Sequence, residues 1–309
     1  FRNPDAKEFH YFANMEIRNN LLAELKKKYL NDLLNYYDEK EAEQLLTILI
    51  EHFFEISRNE LIINSNHRLS ESEILKLHKA YKELKQYKPV QYITGVVEFH
   101  GLKIKVNSAV LIPRPETEEL VQLVTDLETS MDLIVLDTGT GSGCIAIGLS
   151  SLLKRANIHA SDICENAINI ARKNAELNNQ HILFHIHDIL NNEEPLLDRN
   201  GEKVMFDIVI SNPPYVTLED KKKMHPNVID YEPSSALFVT DENPLEYYLS
   251  ILQFCEKNLV LGGRLYFEIN EGMGDEVVSL LKRCNYSDIV LRRDINGKFR
   301  FVSSKKGNT

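Results

Sequence analysis

A glycine-rich turn separates an apolar segment from a helical one in the middle of the chain. The sequence Asp137-Thr-Gly-Thr-Gly-Ser-Gly143 follows the apolar residues 133–136, and helical spacing resumes over residues 145–153. Glycine lets the backbone turn tightly and approach a ligand, and the free amides of the next helix point towards that ligand. Open α/β sheets bind their ligands at this position, beyond the carboxyl end of a strand. A turn that only joins a strand to a helix is the alternative.

Two common glycine motifs do not match this turn. A dinucleotide-binding fingerprint needs glycine where the chain has Cys144, and the Gly-Lys-Ser/Thr of a phosphate-binding loop is absent from the turn. The D-x-G-x-G-x-G pattern instead resembles motif I of S-adenosylmethionine-dependent methyltransferases. The resemblance implies that five residues of the turn contact that cofactor: Gly139, Thr140, Gly141, Ser142 and Gly143.

Acidic residues follow the next two predicted strands. Asp162 comes about 20 residues after the turn, the spacing at which a carboxylate accepts hydrogen bonds from the hydroxyl groups of a cofactor ribose. Asp188 follows the third strand, where we expect it to meet the adenine amino group with Ile189 against the ring. Aspartates at strand ends also cap helices, so capping is the alternative for both residues.

A second turn follows a later predicted strand, residues 206–210, and reads Asn212-Pro213-Pro214-Tyr215. Proline has a fixed φ and no amide hydrogen, so the turn is rigid and its carbonyl groups are free to accept hydrogen bonds. The Asn212 amide oxygen and the Pro213 carbonyl can together hold both hydrogens of a planar –NH2 group, and Tyr215 can stack on it. Such a nitrogen is a weak nucleophile, so holding it in line with a sulfonium methyl group favours methyl transfer. A rigid loop without a ligand is the alternative.

The elements that must position these residues form two different patterns. Residues 16–88 carry only helical spacing, including the capping box Ser70-Glu-Ser-Glu73, and residues 96–106 are typical of a β-hairpin that turns at Gly101. Later residues alternate strands with helices, which predicts a mostly parallel sheet covered by helices. We therefore predict an N-terminal extension (1–15), a helical substrate-recognition domain (16–88), a β-hairpin linker (89–110) and an α/β, doubly wound, Rossmann-like catalytic domain with seven strands (111–309).

Composition excludes several classes of protein. The chain has a formal net charge of −10 and 43% hydrophobic residues, which excludes collagen-like and wholly disordered proteins. Residues 1–90 are nearly neutral, with 14 basic and 15 acidic side chains, so most of the negative charge lies in the predicted catalytic domain. Tight binding of nucleic acid relies on neutralising phosphates with Lys and Arg, so this charge disfavours it.

The cysteines and histidines indicate neither disulfides nor a metal site. The four cysteines form no C-x-x-C pair, which is typical of a reducing compartment. His185 and His187 share a strand face but have no evident third ligand. No apolar run reaches the roughly 20 residues that cross a bilayer, and the first residues lack the order of a secretory signal. We expect a cytoplasmic monomer that needs no metal, membrane or direct nucleic-acid contact.

Longer segments of the chain resemble the HemK/PrmC family, and together they span nearly its whole length. The stretch Leu-Ile-Pro-Arg-Pro-Glu-Thr beside a helical N-terminal domain is the most specific feature. The matching segments beyond the two turns are Pro89-Val-Gln-Tyr-Ile-Thr-Gly95, Phe99-His-Gly-Leu102, Val110-Leu-Ile-Pro-Arg-Pro-Glu-Thr-Glu118, Ser161-Asp-Ile163, Tyr231-Glu-Pro233 and Gly262-Gly with Glu268-Ile.

This resemblance implies a protein-glutamine N5-methyltransferase acting in translation termination. Its substrate would be the glutamine of the Gly-Gly-Gln motif in class-1 peptide-chain release factors, and the helical domain would recognise the release factor. Its cofactor would be S-adenosyl-L-methionine, which leaves as S-adenosyl-L-homocysteine. The family's cofactor pocket would include Asn212. Its substrate contacts would be residues 212–215, and residues 113–117 would line the cofactor entrance. Arg114 at that entrance is either an ion-pair partner or a substrate contact.

Two positions depart from the family pattern, and two other substrates stay open. Tyr231 replaces the family's usual histidine, and Ile189 replaces an aromatic residue, which predicts looser adenine stacking. Glutamine methylation of a ribosomal protein is the alternative within the same chemistry. Methylation of a nucleic-acid amine such as adenine N6 is the more distant alternative, and a basic target-recognition region that would support it is not visible.

Overall fold

The computed structural model describes residues 20–57, 59–60, 66–130, 132–191, 194–222 and 224–307. The predicted N-terminal extension, residues 1–15, lies outside these ranges. The chain divides into two compact units between Thr94 and Gly95. Within the described ranges, no helix is both long enough and apolar enough to cross a bilayer.

The first unit is helical, as the spacing of its leucines predicts. Its helices pack around a shared core that includes Leu25, Leu46 and Leu77, each buried. The predicted capping box begins the third helix, since the Ser70 side chain accepts a hydrogen bond from the Glu73 amide and the Glu73 carboxylate accepts one from the Ser70 amide. The described helices are α1 (Leu22–Leu33), α2 (Glu39–Phe54), α3 (Glu71–Leu84) and α4 (Val90–Thr94).

The predicted hairpin opens the second unit. Its strands β1 (Val96–Phe99) and β2 (Leu102–Lys105) pair antiparallel. Asn174, on the later helix Glu165–Leu177, pairs with both backbone groups of Lys105: its Oδ1 accepts from the amide at 2.8 Å, and its Nδ2 donates to the carbonyl at 2.9 Å. The same Nδ2 also donates to the Ser142 carbonyl at 2.9 Å, so one buried amide joins the hairpin to the glycine-rich turn.

A seven-stranded sheet forms the body of the second unit, in the order β5-β4-β3-β6-β7-β9-β8. Neighbouring strands from β5 to β7 are parallel, and β9 is antiparallel to both of its neighbours. The prediction of a mostly parallel, doubly wound sheet is therefore confirmed. The strands are β3 (Ile134–Thr138), β4 (Asn157–Asp162), β5 (Ile182–Ile186), β6 (Phe206–Ser211), β7 (Leu259–Glu268), β8 (Tyr286–Arg293) and β9 (Phe299–Lys306).

Helices connect these strands and bury their apolar sides against the sheet. The large core includes Phe206, Phe254 and Phe267, all with no exposed surface. Three short helices, α8 to α10, follow β6, where the sequence pattern indicates no element. The described helices are α5 (Pro115–Leu127), α6 (Cys144–Leu152), α7 (Glu165–Leu177), α8 (Leu218–Lys221), α9 (Pro226–Ile229), α10 (Ser234–Leu237), α11 (Glu246–Asn258) and α12 (Gly274–Arg283).

The order of the strands determines where a ligand can enter. From β3 the chain adds β4 and β5 on one side of the sheet, and it then returns to add β6 and β7 on the other. A crevice opens at such a switch point, beyond the carboxyl ends of the two central strands. The glycine-rich turn follows β3 and the Asn-Pro-Pro-Tyr turn follows β6, so the fold brings both to this crevice.

Candidate active site

A cavity of about 290 Å³ opens at the carboxyl ends of the central strands. Its wall takes residues from the loops after β3, β4, β5 and β6. Most of the predicted site residues therefore come together: Gly139, Thr140, Gly141, Ser142, Asp162, Asp188, Ile189, Asn212, Pro213 and Pro214. Two predicted residues that the structure describes, Gly143 and Tyr215, lie outside this wall.

Asp137 holds the glycine-rich turn from inside the protein. Its Oδ2 accepts hydrogen bonds from the Thr140 hydroxyl at 2.5 Å and from the Ala146 amide at 3.2 Å. The side chain has no exposed surface, and burial raises the pKa of its carboxyl group to about 7. Asp137 thus fixes the turn and the start of α6 together without lining the cavity.

Asp162 connects the end of β4 to the same turn. Its Oδ2 accepts a hydrogen bond from the Gly141 amide at 2.9 Å, and its Oδ1 accepts one from the Cys164 amide at 2.8 Å. Burial raises the pKa of Asp162, while the backbone hydrogen bonds act in the opposite direction. The carboxylate is thereby oriented within the cavity wall and keeps further lone pairs that can accept from ligand hydroxyl groups.

Gly143 has a different task from the other glycines of the turn. Its φ is +83°, and a Cβ built there would lie 3.0 Å from the Ala171 Cβ and 3.2 Å from the Ala171 Cα. By contrast, a Cβ built on Gly141 would meet nothing within 4 Å. Gly143 therefore allows α6 and α7 to pack closely, whereas Gly141 keeps space open at the cavity wall.

Asp188 and Ile189 lie together on the wall beyond β5. The Asp188 Oδ1 accepts a hydrogen bond from the Leu190 amide at 3.0 Å and caps the 3₁₀ helix Ile189–Asn191. The capping role considered for this strand-end aspartate is therefore present, and the residue faces the cavity as well. Ile189 packs against the main core of the unit.

The Asn212 amide at the end of β6 is held in a defined direction. Its Nδ2 donates a hydrogen bond to the Thr117 hydroxyl oxygen at 3.2 Å, and the Thr117 hydroxyl donates to the Glu268 Oε2 at 2.8 Å. Because the amide nitrogen is engaged by Thr117, the Asn212 Oδ1 is left as the acceptor on the other side. Asn212, Pro213 and Thr117 all line the cavity.

Tyr215, at the other end of the turn, also contacts the Glu268 carboxylate. Its hydroxyl donates a hydrogen bond to the Glu268 Oε1 at 3.1 Å. Glu268 has almost no exposed surface, and burial raises the pKa of its carboxyl group to about 7. Burial also raises the pKa of the Tyr215 hydroxyl, so this group stays a donor.

An ion pair joins two loops of the cavity wall. The Arg114 Nη2 lies 2.5 Å from the Glu232 Oε1, and the Glu232 Oε2 accepts a hydrogen bond from the Ile112 amide at 3.0 Å. Glu232 is buried, with 1% of its side chain exposed, whereas 32% of the Arg114 side chain is exposed. Arg114 therefore has an ion-pair partner at the entrance, and the segment that carries Pro233 is tied to the loop before α5.

The histidines near β5 form a stack. The His159 Nδ1 and His185 Nε2 lie 3.0 Å apart, with the rings nearly parallel, and burial lowers the pKa of both side chains. His187 lines the cavity. Among the described residues, no cluster of three His, Cys, Asp or Glu side chains could hold a metal ion.

Sequence reasoning missed the roles of Glu268 and Glu232. In the sequence, both stand only within longer segments that match the family. For Glu268 the available signal is an acidic residue that ends the otherwise apolar segment 265–268. Such a residue lies at the crevice, because the carboxyl ends of neighbouring parallel strands meet there. No comparable signal marks Glu232, whose partners lie 120 and 118 residues away in sequence.

Family models match both parts of the chain. The family described as Methyltransferase small domain matches residues 120–231, and the PrmC N-terminal domain matches residues 28–95. A release factor glutamine methyltransferase of Flavobacterium psychrophilum is 40% identical over 91% of this chain and 98% of its own length. A protein of the same name from Bacteroides thetaiotaomicron is 36% identical over 89% of this chain and 96% of its own length.

Solved structures support the fold. The catalytic domain of hMettl16, crystallised with a 3'UTR hairpin, aligns with a TM-score of 0.51 at 17% identity, over 76% of this chain and 81% of that one. This likeness concerns the methyltransferase fold alone. The relatives from Flavobacterium and Bacteroides match almost from end to end, and they confirm the resemblance found in the sequence. The chain belongs to the release factor glutamine methyltransferase family of S-adenosylmethionine-dependent methyltransferases.

Proposed function

We propose that this enzyme methylates the side-chain amide nitrogen of the glutamine in the Gly-Gly-Gln motif of class-1 peptide-chain release factors. The observation that carries the proposal is the oriented Asn212 amide beside Pro213, on the same cavity wall as the glycine-rich turn. Relatives named release factor glutamine methyltransferase, at 40% and 36% identity over most of the chain, support this substrate.

The cavity suits S-adenosylmethionine. Residues 139–142 and Asp162 would hold its methionine and ribose parts, and Asp188 and Ile189 would contact the adenine. Gly141 leaves the open space that a ligand needs beside the backbone, and the Asp162 carboxylate is an acceptor oriented for hydroxyl groups. When bound, this cofactor supplies a methyl group on a positively charged sulfur, and the sulfur keeps the bonding electron pair as S-adenosylhomocysteine forms.

The substrate amide would be held by acceptors that belong to the turn. The Asn212 Oδ1 and the Pro213 carbonyl accept its two N–H hydrogens, which fixes the plane of the amide and directs the nitrogen lone pair. Pro214 keeps the turn rigid because its φ is fixed. Stacking of the Tyr215 ring on the amide stays a prediction, and its hydroxyl bond to Glu268 fixes the orientation of this ring.

The residues that contact the amide need not act as strong bases. Once methylated, the nitrogen carries a positive charge without amide resonance and is strongly acidic. It therefore loses its proton to water or to a carbonyl oxygen. We assign to Asn212 and Pro213 the task of positioning the substrate amide.

The helical unit would recognise the release factor. It matches the PrmC N-terminal domain, and the relatives that share this part carry the release-factor name. We propose that the enzyme acts as a monomer in the cytoplasm, on the protein substrate alone. The strongly acidic second part of the chain disfavours a nucleic-acid substrate.

A substrate panel tests the proposal. The protein is incubated with methyl-labelled S-adenosylmethionine and, separately, with release factor, total ribosomal protein or duplex DNA, and transfer of the label is measured. We expect label on the release factor alone. Label on a ribosomal protein or on DNA, with none on the release factor, would refute the assignment.

A further inference from the structure

Both ends of the Asn-Pro-Pro-Tyr turn are linked to one buried carboxylate, Tyr215 directly and Asn212 through Thr117. Glu268 ends β7, next to β6 in the sheet, and it accepts hydrogen bonds from Thr117 at 2.8 Å and from Tyr215 at 3.1 Å. Thr117 in turn accepts from the Asn212 Nδ2 at 3.2 Å. One chain of hydrogen bonds thus joins three elements that are distant in sequence: helix α5, strand β7, and the turn that follows β6.

The direction of every bond in this chain follows from the carboxylate. An ionised carboxyl group only accepts hydrogen bonds, so the Thr117 hydroxyl must donate to it. The Thr117 oxygen then has only acceptor sites left for Asn212, whose amide must present its –NH2 side to Thr117. Consequently the Asn212 Oδ1 points away from Thr117, and this acceptor is the one that a substrate –NH2 group requires.

We propose that Glu268 is a positioning residue for methyl transfer: through Thr117 it determines that the substrate meets the Oδ1 of the Asn212 amide and not its Nδ2. This inference rests on the proposed function, because an acceptor is needed only if the substrate presents N–H hydrogens. With the amide reversed, the Asn212 –NH2 group would face the substrate –NH2 group, donor against donor. That arrangement leaves buried donors without partners and disfavours the reactive complex.

The substitution Glu268→Gln reverses the relay while it preserves the shape of the side chain. The Tyr215 hydroxyl already donates to the Oε1 position and would claim the amide oxygen of the new side chain. Its –NH2 group would then donate to Thr117, whose hydroxyl would turn to the Asn212 Oδ1. A buried donor left unpaired costs enough to favour this reversed arrangement by about 10- to 100-fold.

Above neutral pH the Glu268 carboxyl group should be ionised, and neighbouring groups influence this ionisation. Arg300 on β9 favours the charged form, as do the hydrogen bonds from Thr117 and Tyr215, whereas burial and Glu116 oppose it. Tyr248 on α11 donates to the Glu268 backbone carbonyl rather than to the carboxylate. Since the pKa is raised to about 7, kcat should fall as the pH drops through this value, because a protonated Glu268 donates to Thr117.

The experiment measures kcat on release factor, the affinity for S-adenosylhomocysteine by calorimetry, and the pH profile of kcat. We expect Glu268→Gln to lower kcat by about 10- to 100-fold, to bind S-adenosylhomocysteine within about threefold of wild type and to lose the pH step. The matched control Glu276→Gln, exposed on α12, should keep wild-type kcat.

Threonine variants decide the question if Glu268→Gln does not fold. Thr117→Ser keeps the hydroxyl and should retain most of kcat, whereas Thr117→Val removes it and should lower kcat about tenfold. Equal kcat for these two variants, or wild-type kcat in Glu268→Gln, would overturn the inference. Failure of the wild-type enzyme to methylate release factor would instead refute the proposed function.

Discussion

Alanine should affect mainly stability at one glycine of the cofactor turn and mainly ligand affinity at another. Both have positive φ, +54° at Gly141 and +83° at Gly143, and an alanine there costs about 1–2 kcal/mol. At Gly143 the new methyl group would also lie 3.0 Å from the Ala171 Cβ and 3.2 Å from the Ile147 Cδ1. Overpacking of this kind adds about 1–3 kcal/mol, so Gly143→Ala should lower the free energy of unfolding by about 2–5 kcal/mol.

Gly141→Ala lacks the overlap but adds its methyl group at the cavity wall. It should lower the free energy of unfolding by only about 1–2 kcal/mol. Its affinity for S-adenosylhomocysteine should fall about tenfold, equivalent to about 1.4 kcal/mol, because the new methyl group fills space beside the turn. Gly143 does not line the cavity, so Gly143→Ala should weaken binding less than Gly141→Ala does.

Two assays separate these effects. Urea unfolding followed by far-ultraviolet circular dichroism measures stability and suits a chain without tryptophan. Calorimetric titration with S-adenosylhomocysteine, under conditions where both variants are folded, measures affinity. Equal losses of stability, or a larger loss of affinity in Gly143→Ala than in Gly141→Ala, would refute the assignment of one glycine to packing and the other to the ligand.

Two further substitutions test the loops and the buried charge of the site. Glu232→Gln removes the charged partner of Arg114, so it should lower the free energy of unfolding in urea by about 1.5–2 kcal/mol. It should also weaken S-adenosylhomocysteine binding measured by calorimetry. Unchanged stability and affinity would contradict the role of the ion pair. The folded-state pKa of Asp137 is about 7 against an ordinary value of 3.8, so between these values the folded protein keeps a proton that the unfolded chain has released. Asp137 alone should therefore make wild-type stability fall with rising pH in this window by up to about 1.4 kcal/mol per pH unit, and Asp137→Asn should reduce the slope by that amount; parallel profiles would contradict it.

The sequence was sufficient to predict the strands and the two turns that line the cavity. The apolar run that forms β3 and the glycines after it follow local rules, and so do the prolines after β6. Alternation of strands with helices then requires a parallel sheet, and a parallel sheet places these turns at one edge. For this reason the sequence alone predicts that Asp162 and Asn212 lie at a single site, and both line the cavity.

Contacts between distant side chains could not be predicted in the same way. Glu268 accepts from Thr117, which lies 151 residues earlier, and Arg114 pairs with Glu232, which lies 118 residues later. Local spacing does not encode such pairs, because they arise only when separate loops meet at the crevice. Gly143 belongs to the same class, since its contact with Ala171 depends on how α6 and α7 pack.

The position of the transferred methyl group tests the central claim most directly. Release factor is incubated with wild-type enzyme or with Asn212→Ala and isotopically labelled S-adenosylmethionine, and the labelled atom is located by peptide mass spectrometry. We predict label on the glutamine side-chain nitrogen of Gly-Gly-Gln with wild type, and a loss of kcat of about 100-fold or more with Asn212→Ala, as for other preorganised hydrogen-bonding groups. Label on another residue, or full turnover by Asn212→Ala, would contradict the account.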